Sequence, residues 1–410
     1  MRFSPRLFIL LSAIPPGLLF SQERVLFPGL VEGPRWLARA RRAEGEGGFA
    51  EAKSLLLPHL ADRNSLGWAA RWEWERMRRI LLDFSVGPAA LMERLQQDLD
   101  GRVTEEMVRA WRGRGTLLAR VIDGKVRYFE SAPGRLYRLD AGARKLWEQV
   151  RGKPFFSRGP NRARLAHVKE VLRAARASGK RYVVPKRLEI RFGIEVKAGA
   201  APAGARLRCW LPFPGESARQ REIRLVRTDP PGGIPAPPSS LQMTVYLERT
   251  MPAEGPALFE EVFQCTFLAS VPRLDPSRAE PLTPVERKRL APWLAERPPH
   301  EILFPEVRKI ASGLCEGEKN PLLRAKKIYQ WMEDHVTWVP AREYSTMRCI
   351  PKTCLRERSG DCGMQALLMI CLLRAAGIPA RWQSGWGIGA GSVGMHDWLR
   401  LYVKPWGWIH

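Results

Sequence analysis

SGDCGMQALLMICLLRAAGIPAR, residues 359–381, is the stretch on which the reading of this chain turns. From Met364 to Leu373 it is apolar nearly all round, the pattern of a helix buried on every side. Gly377 supplies a C-terminal stop, and Pro379 just beyond it cannot continue the helix. Cys362 falls in the first turn. There the unpaired N–H groups and the helix dipole favour a thiolate and are expected to lower the thiol pKa. A nucleophilic thiol also needs a base, usually histidine. Cys371 sits mid-helix among leucines and reads as a core residue.

Downstream come Gly385-Trp386-Gly387 and then GMHDWLRLYV, residues 394–403, a strand-like stretch that closes on Gly407-Trp408-Ile409. His396 lies near its start. A histidine on a strand, facing a cysteine at a helix N-terminus, is the arrangement of papain-type thiol catalysis. Upstream, Asn320-Pro321 opens another helix in the preferred order of cap and first-turn proline. Ala325, Ile328, Trp331, Met332 and His335 mark one face of it, and His335 reads as a helix-end residue. Alone, Cys362 would read as a buried inert cysteine and His396 as a strand-end histidine. In this order they read together as nucleophile and base, expected within hydrogen-bond reach of each other.

Gly360-Asp361-Cys362, the Leu372–Arg381 run, Gly385-Trp386, His396-Asp397-Trp398 and Gly407-Trp408 together resemble the secreted bacterial transglutaminase-like superfamily, which is related to papain-like cysteine proteases. The likeness covers roughly residues 320–410. It implies Cys362 as nucleophile and His396 as base, with an Asp to orient the imidazole shortly after the Gly-Trp pair. His410 follows Trp408 by two residues, so the expectation is a core incomplete at its C-terminus and impaired in turnover. Asp397 is a poor substitute for that Asp, because neighbouring side chains on a strand point to opposite faces. Arg400 stands where many relatives carry an acid and reads as a surface change. The oxyanion hole is expected to use the Cys362 N–H and a second donor that the sequence does not place. Trp338 is a weak candidate for that donor, and core packing is the preferred reading of it.

The rest of the chain reads as α+β and multidomain, in keeping with 410 residues. Residues 1–21 carry Arg2 and Arg6 ahead of a short apolar stretch, the pattern of a signal peptide. Residues 22–185 read as mainly helical. Helices are expected at 34–44 and 49–60 around a Gly-rich turn, at 65–84, at 105–112 behind a Thr104 cap, at 141–150 and at 162–177. Asp123-Gly124 marks a hairpin. Residues 186–271 alternate apolar and polar side chains, notably Leu188, Ile190, Phe192, Ile194 and Val196, and read as a small antiparallel β-sandwich. Residues 272–299 read as a linker and 300–410 as the core.

Lys and Arg exceed Asp and Glu by 67 to 42, a formal net charge of +25. No zinc-finger, RRM or KH signature accompanies it, so nucleic acid is not the expected partner. An anionic cell-envelope polymer is, beside a protein or peptide substrate. The seven cysteines leave at least one thiol unpaired in an exported protein. No residue pattern points to a metal or a cofactor, and no membrane span is expected once the signal peptide is cleaved. The function read from these features is an exported, periplasmic or extracellular thiol acyl-transfer enzyme acting on protein or peptide amides. The alternative is a non-catalytic binding or assembly module of the cell envelope.

Overall fold

Apolar residues at helical spacing give α1 (Arg35–Glu46), α2 (Phe49–Leu56), α3 (Ser65–Asp83), α4 (Pro88–Asp98) and α5 (Glu105–Gly113). The structure is a computed structural model that describes residues 33–156, 162–240, 242–389 and 392–410. The signal peptide read at residues 1–21 lies outside them. Gly47 ends α1 with φ +94°, and a Cβ there would stand 2.6 Å from the Val121 carbonyl oxygen. Only glycine accepts both conditions. Asn64 caps α3 by accepting from Gly67 N, and Thr104 caps α5 by accepting from Met107 N. The Asp123-Gly124 turn joins β1 (Ala119–Ile122) to β2 (Lys125–Tyr128), with Ile122 opposite Lys125. α6 (Ala132–Leu139) and α7 (Ala141–Arg151) follow. Leu37, Phe49, Met77, Ile80, Leu95 and Leu136 are core residues of this layer. The sequence reading lacked α4 and α6. Both are short helices opened by a first-turn proline rather than by a capping side chain.

A separate unit contains α8 (Arg162–Ser178) and the strands β3 (Tyr182–Val196), β4 (Arg206–Pro212), β5 (Gln220–Asp229), β6 (Ile234–Pro235), β7 (Thr244–Thr250) and β8 (Ala257–Ser270). They form two antiparallel sheets, β3-β8-β5 and β4-β7-β6. Side chains from both, among them Val196, Cys209, Leu211, Val245, Leu247 and Phe259, share one core. Burial along β3 alternates from Leu188 to Val196, as the period-2 pattern predicts.

The other unit joins the helical layer to residues 275–410. The second part holds α9 (Pro284–Arg289), α10 (Pro305–Leu314), α11 (Pro321–His335), β9 (Thr337–Trp338), α12 (Ile350–Glu357), β10 (Ser359–Gly360), α13 (Cys362–Ala375), β11 (Ala380–Gly389), β12 (Ser392–Val403) and β13 (Gly407–Ile409). β11, β12 and β13 form an antiparallel sheet in that order, and β9 pairs with β10 in parallel. α13 packs on α10, α11 and α12 and on β11 and β12. The proline-rich 272–299 segment carries α9, with a Thr283–Glu286 capping box. It is tied to α13, since the buried Arg374 donates to Ala295 O at 2.6 Å. No helix among the described residues is long and apolar enough to cross a membrane. All seven cysteines are free thiols.

Two buried carboxyls show opposite solutions to the same problem. Glu73 is buried in the helical layer, where burial would raise its pKa. Arg348, Arg76 and Arg41 outweigh that and hold it below the usual carboxylate range. Glu261, on β8, is fully buried and neither of its oxygens has a hydrogen-bond partner. Burial therefore pushes its pKa from 4.5 to about 8. A carboxyl raised in the folded state keeps its proton after the unfolded chain has lost it, so stability is greatest below pH 4.5 and falls as pH rises towards 8. Glu261→Gln is expected to remove this slope and to gain about 1–3 kcal/mol over the parent at pH 8, read by denaturant unfolding. A stability difference identical at pH 5 and pH 8 would contradict the assignment.

Candidate active site

Asp361 fixes the start of α13. It adopts an extended N-cap conformation, and its Oδ1 accepts from Met364 N at 3.0 Å. The same oxygen accepts from the Tyr344 hydroxyl at 2.6 Å. Gln365 Nε2 donates to Gly360 O at 2.9 Å, which holds the chain entering the helix. Cys362 is thereby presented half-buried in the first turn, as the sequence predicts. Gly363, next in line, has no room for a side chain: a Cβ would stand 2.0 Å from Tyr344 Oη and 2.9 Å from Asp397 Oδ2.

The expected lowering of the thiol pKa is reversed. Burial raises the Cys362 pKa above its ordinary value, and the Asp361 and Asp397 carboxylates push the same way. The nearby backbone amides of Asp397 and Gly363 pull the pKa down without overcoming the rise. A helix N-terminus is worth a fraction of a charge, and two nearby carboxylates with partial desolvation exceed it. The resting thiol is neutral. Asp397, half-buried, is itself raised, first by burial and then by Asp361, with His396 opposing.

No hydrogen bond joins His396 to the Cys362 thiol among the described residues. β12 runs without a bulge, Gly385 opposite His396 and Ser384 opposite Asp397, so successive side chains alternate faces. Leu399, Leu401 and Val403 join the core around α13, and Asp397 shares their face. His396 is exposed on the other face, its ring 5.9 Å from that of Trp398. The separation of Asp397 from His396 is as expected, but the residue turned towards Cys362 is Asp397. The sequence carried a signal for this. The odd positions of 399–403 are all aliphatic, whereas Trp398, Arg400 and Tyr402 are not.

Two other expectations, for Trp338 and Arg400, are corrected in place, and those for Cys371 and His335 hold. Trp338 is 44% exposed rather than a core residue. It pairs in register with Gly360 on β10, and the Arg138 guanidinium lies 4.4 Å from its ring centroid. Arg400 is half-buried rather than a surface residue and donates to Trp408 O at 3.3 Å. Cys371 is fully buried, with its thiol 3.5 Å from His300 O, and His335 stacks on Trp331 at the end of α11. Tyr344, whose hydroxyl donates to the Asp361 cap, was missed. It lies in a short irregular stretch with no periodicity to mark it.

A thiol on the first turn of a buried helix is set here against an antiparallel sheet. Residues 308–410 match the profile of the Transglutaminase-like superfamily, and this part of the chain is a transglutaminase-like domain. Comparison with curated proteins gives no match. Among solved structures the chain is similar to a candidate cysteine protease from Cytophaga hutchinsonii, at 19% identity over 56% of this chain and 76% of that one, with a TM-score of 0.44. It is also similar to the periplasmic domain of TgpA from Pseudomonas aeruginosa, at 18% identity over 54% of this chain and 68% of that one, with a TM-score of 0.29.

The charge around the sulfur gives a direct test. Alkylation of Cys362 by iodoacetamide, followed on its own peptide by mass spectrometry, is expected to reach half its maximal rate at a pH above that of an exposed cysteine. A half-maximum near neutrality would show that the helix N-terminus prevails over the two carboxylates.

Proposed function

We propose that this chain is an exported thiol acyl-transfer enzyme that hydrolyses, or transfers, protein or peptide amides through an acyl-enzyme on Cys362, with His396 as its base. The observation that carries this reading is the half-buried thiol on the first turn of α13, behind the Asp361 cap, within a transglutaminase-like domain. The base takes the thiol proton as the sulfur attacks the amide carbonyl carbon. The C–N bond then breaks, and the amine leaves with that proton. Water or a second amine displaces the sulfur in the next half-reaction. The neutral resting thiol makes a base obligatory.

His396 directly precedes Asp397, whose carboxylate lies close to the first turn of α13. Use of His396 as base requires the imidazole to reach the thiol when substrate binds, and catalytic hydrogen bonds are often formed only in the substrate complex. Export is supported by the signal-peptide pattern of residues 1–21. The net charge of +25 supports retention on an anionic cell-envelope polymer.

A second reading has an observation of its own. An exposed His396 and a thiol held neutral are what a non-catalytic binding or assembly module would show. Turnover on a peptide-amide library separates the two. Cys362→Ala is expected to keep the fold by circular dichroism and to lose hydrolysis and transfer by about 10⁴-fold or more, and His396→Ala to lose a similar factor. Undiminished turnover in a folded Cys362→Ala protein removes the nucleophile. Loss with Cys362→Ala but not with His396→Ala places the base elsewhere. No turnover in the parent, on any peptide amide, leaves the binding module.

A further inference from the structure

The segment leading into the site is held from outside the core domain. α3 binds it at successive residues. Asp83 Oδ2 accepts from Glu343 N at 2.9 Å, and Arg79 donates to Ser345 Oγ at 3.2 Å and to Glu343 Oε1 at 3.4 Å. Arg76 donates to Thr346 O at 3.3 Å. Arg348 makes a two-pronged pair with Glu73 at 2.6 and 2.9 Å, and Glu73 is itself buried. Tyr344 lies within this row of anchors, and its hydroxyl goes to Asp361 at 2.6 Å. Its approach depends on the missing side chain at Gly363, where a Cβ would stand 2.0 Å from that hydroxyl.

We propose that Tyr344, clamped by α3, is a positioning residue of the acyl-transfer centre, and that its hydrogen bond to Asp361 sets the negative charge that the Cys362 sulfur faces. The proposal rests on the reading of Cys362 as nucleophile and adds a helix far away in sequence to the machinery of that site. Charged and titratable groups face the sulfur from each side. Asp361 comes from the helix cap, Tyr344 from the clamped segment and Asp397 from β12. Of these, only Tyr344 can compensate a carboxylate by donating to it. Its proton stays in place, because burial first and Asp361 second hold the phenol well above its usual range. A hydrogen bond from a neutral donor to a carboxylate is charge-assisted and short. It withdraws part of the Asp361 charge from the sulfur and from Asp397. Without it, Asp361 keeps only the Met364 amide and repels a thiolate more strongly. The two-pronged Arg348–Glu73 pair and the ties from Asp83, Arg79 and Arg76 keep the tyrosine from turning away. The helical layer thus takes part in the chemistry of the cysteine through the segment it clamps.

The test reads thiolate formation, not turnover. Cys362 alkylation by iodoacetamide is followed across pH in the full chain, on the Cys362 peptide alone. Tyr344→Phe is expected to label about ten-fold more slowly than the parent at pH 8, and equally fast once the pH exceeds both midpoints. A ten-fold lower thiolate fraction corresponds to one pH unit in the midpoint. Asp361→Asn keeps a capping side chain and is expected to label faster than the parent, and adding Tyr344→Phe to it is expected to change nothing. Arg79→Gln is expected to slow labelling in the same direction as Tyr344→Phe, less strongly, and to have no effect in its background. Should Tyr344→Phe fail to fold, Asp361→Asn and Arg79→Gln carry the test. A purely structural tyrosine would slow labelling by the same factor at every pH, or leave it unchanged in a folded protein, and either result overturns the proposal. A parent that shows the predicted labelling pattern but hydrolyses no amide overturns the enzymatic reading and keeps the clamp.

Discussion

A helix that is apolar on every side has to be enclosed on every side, and α13 is that helix. Met364, Leu368, Ile370, Cys371, Leu372 and Leu373 are all buried, although they point in all directions from the axis. Each large aliphatic side chain removed from water contributes about 1.5–3 kcal/mol, and no single neighbour could cover them. α10, α11 and α12 take part of the circumference, and β11 and β12 take the rest. The site follows from this enclosure. The N-terminal turn of α13, where Cys362 and Gln365 are only partly buried, is a place where the helix reaches solvent, and that is where the thiol stands.

Enclosure has an electrostatic consequence. The groups that end the helix are drawn into a low-dielectric setting, where charge must be met by charge or given up. Arg374 at the C-terminal end is met by Glu301 and by the Ala295 and Ala380 carbonyls. Asp361 at the N-terminal end is met by Tyr344 and the Met364 amide, with no cation. The thiol beside it therefore sits in a negative rather than a positive surrounding. The helical layer shows the same rule on a larger scale. Glu44 and Glu73 are buried against Arg76, Arg120 and Arg348, and each member satisfies another. Such clusters contribute little net stability but fix geometry tightly. Here the fixed geometry is that of the segment carrying Tyr344.

What was legible in the sequence was local. Gly377 does end α13 in the left-handed region, Asp123-Gly124 does turn a hairpin, and the alternation from Leu188 to Val196 does mark a strand buried on one side. Each depends on residues a few positions apart. The position of Cys362 at the start of α13 was legible for the same reason, since a helix start is a local event. What was not legible depends on docking. Alternation assigns His396 and Asp397 to opposite faces of β12 and the aliphatic Leu399, Leu401 and Val403 mark the inward one, but which residue of that face comes to lie against the first turn of α13 is decided by packing. The link from α3 to residues 343–348 joins positions more than two hundred and fifty residues apart in the chain. No periodicity encodes such a contact. Its only trace in the sequence is a run of arginines and glutamates on a helix, Glu73, Arg76 and Arg79, that a solvated surface helix would carry equally well.

The same contrast explains why charge composition was a poor guide here. Arginine spread along the chain reads as surface, and a net charge of +25 reads as a property of the exterior. Yet Arg76, Arg135 and Arg374 are among the most buried polar residues of the protein. Each bridges segments distant in sequence. Arg76 joins α1 and α3 to Thr346, Arg135 joins α6 to Glu357 and Ser359, and Arg374 joins α13 to the 295–301 stretch. A planar, permanently charged group with several donors can satisfy carbonyls and carboxylates from different elements at once, which an aliphatic side chain of the same length cannot. Ser359 and Glu357 immediately precede the Gly360-Asp361-Cys362 turn, so Arg135 fixes the entry to the site from one side as α3 fixes Tyr344 from the other. The transglutaminase-like domain supplies the thiol, and the helical layer in front of it supplies the arginines that hold the surrounding backbone in place.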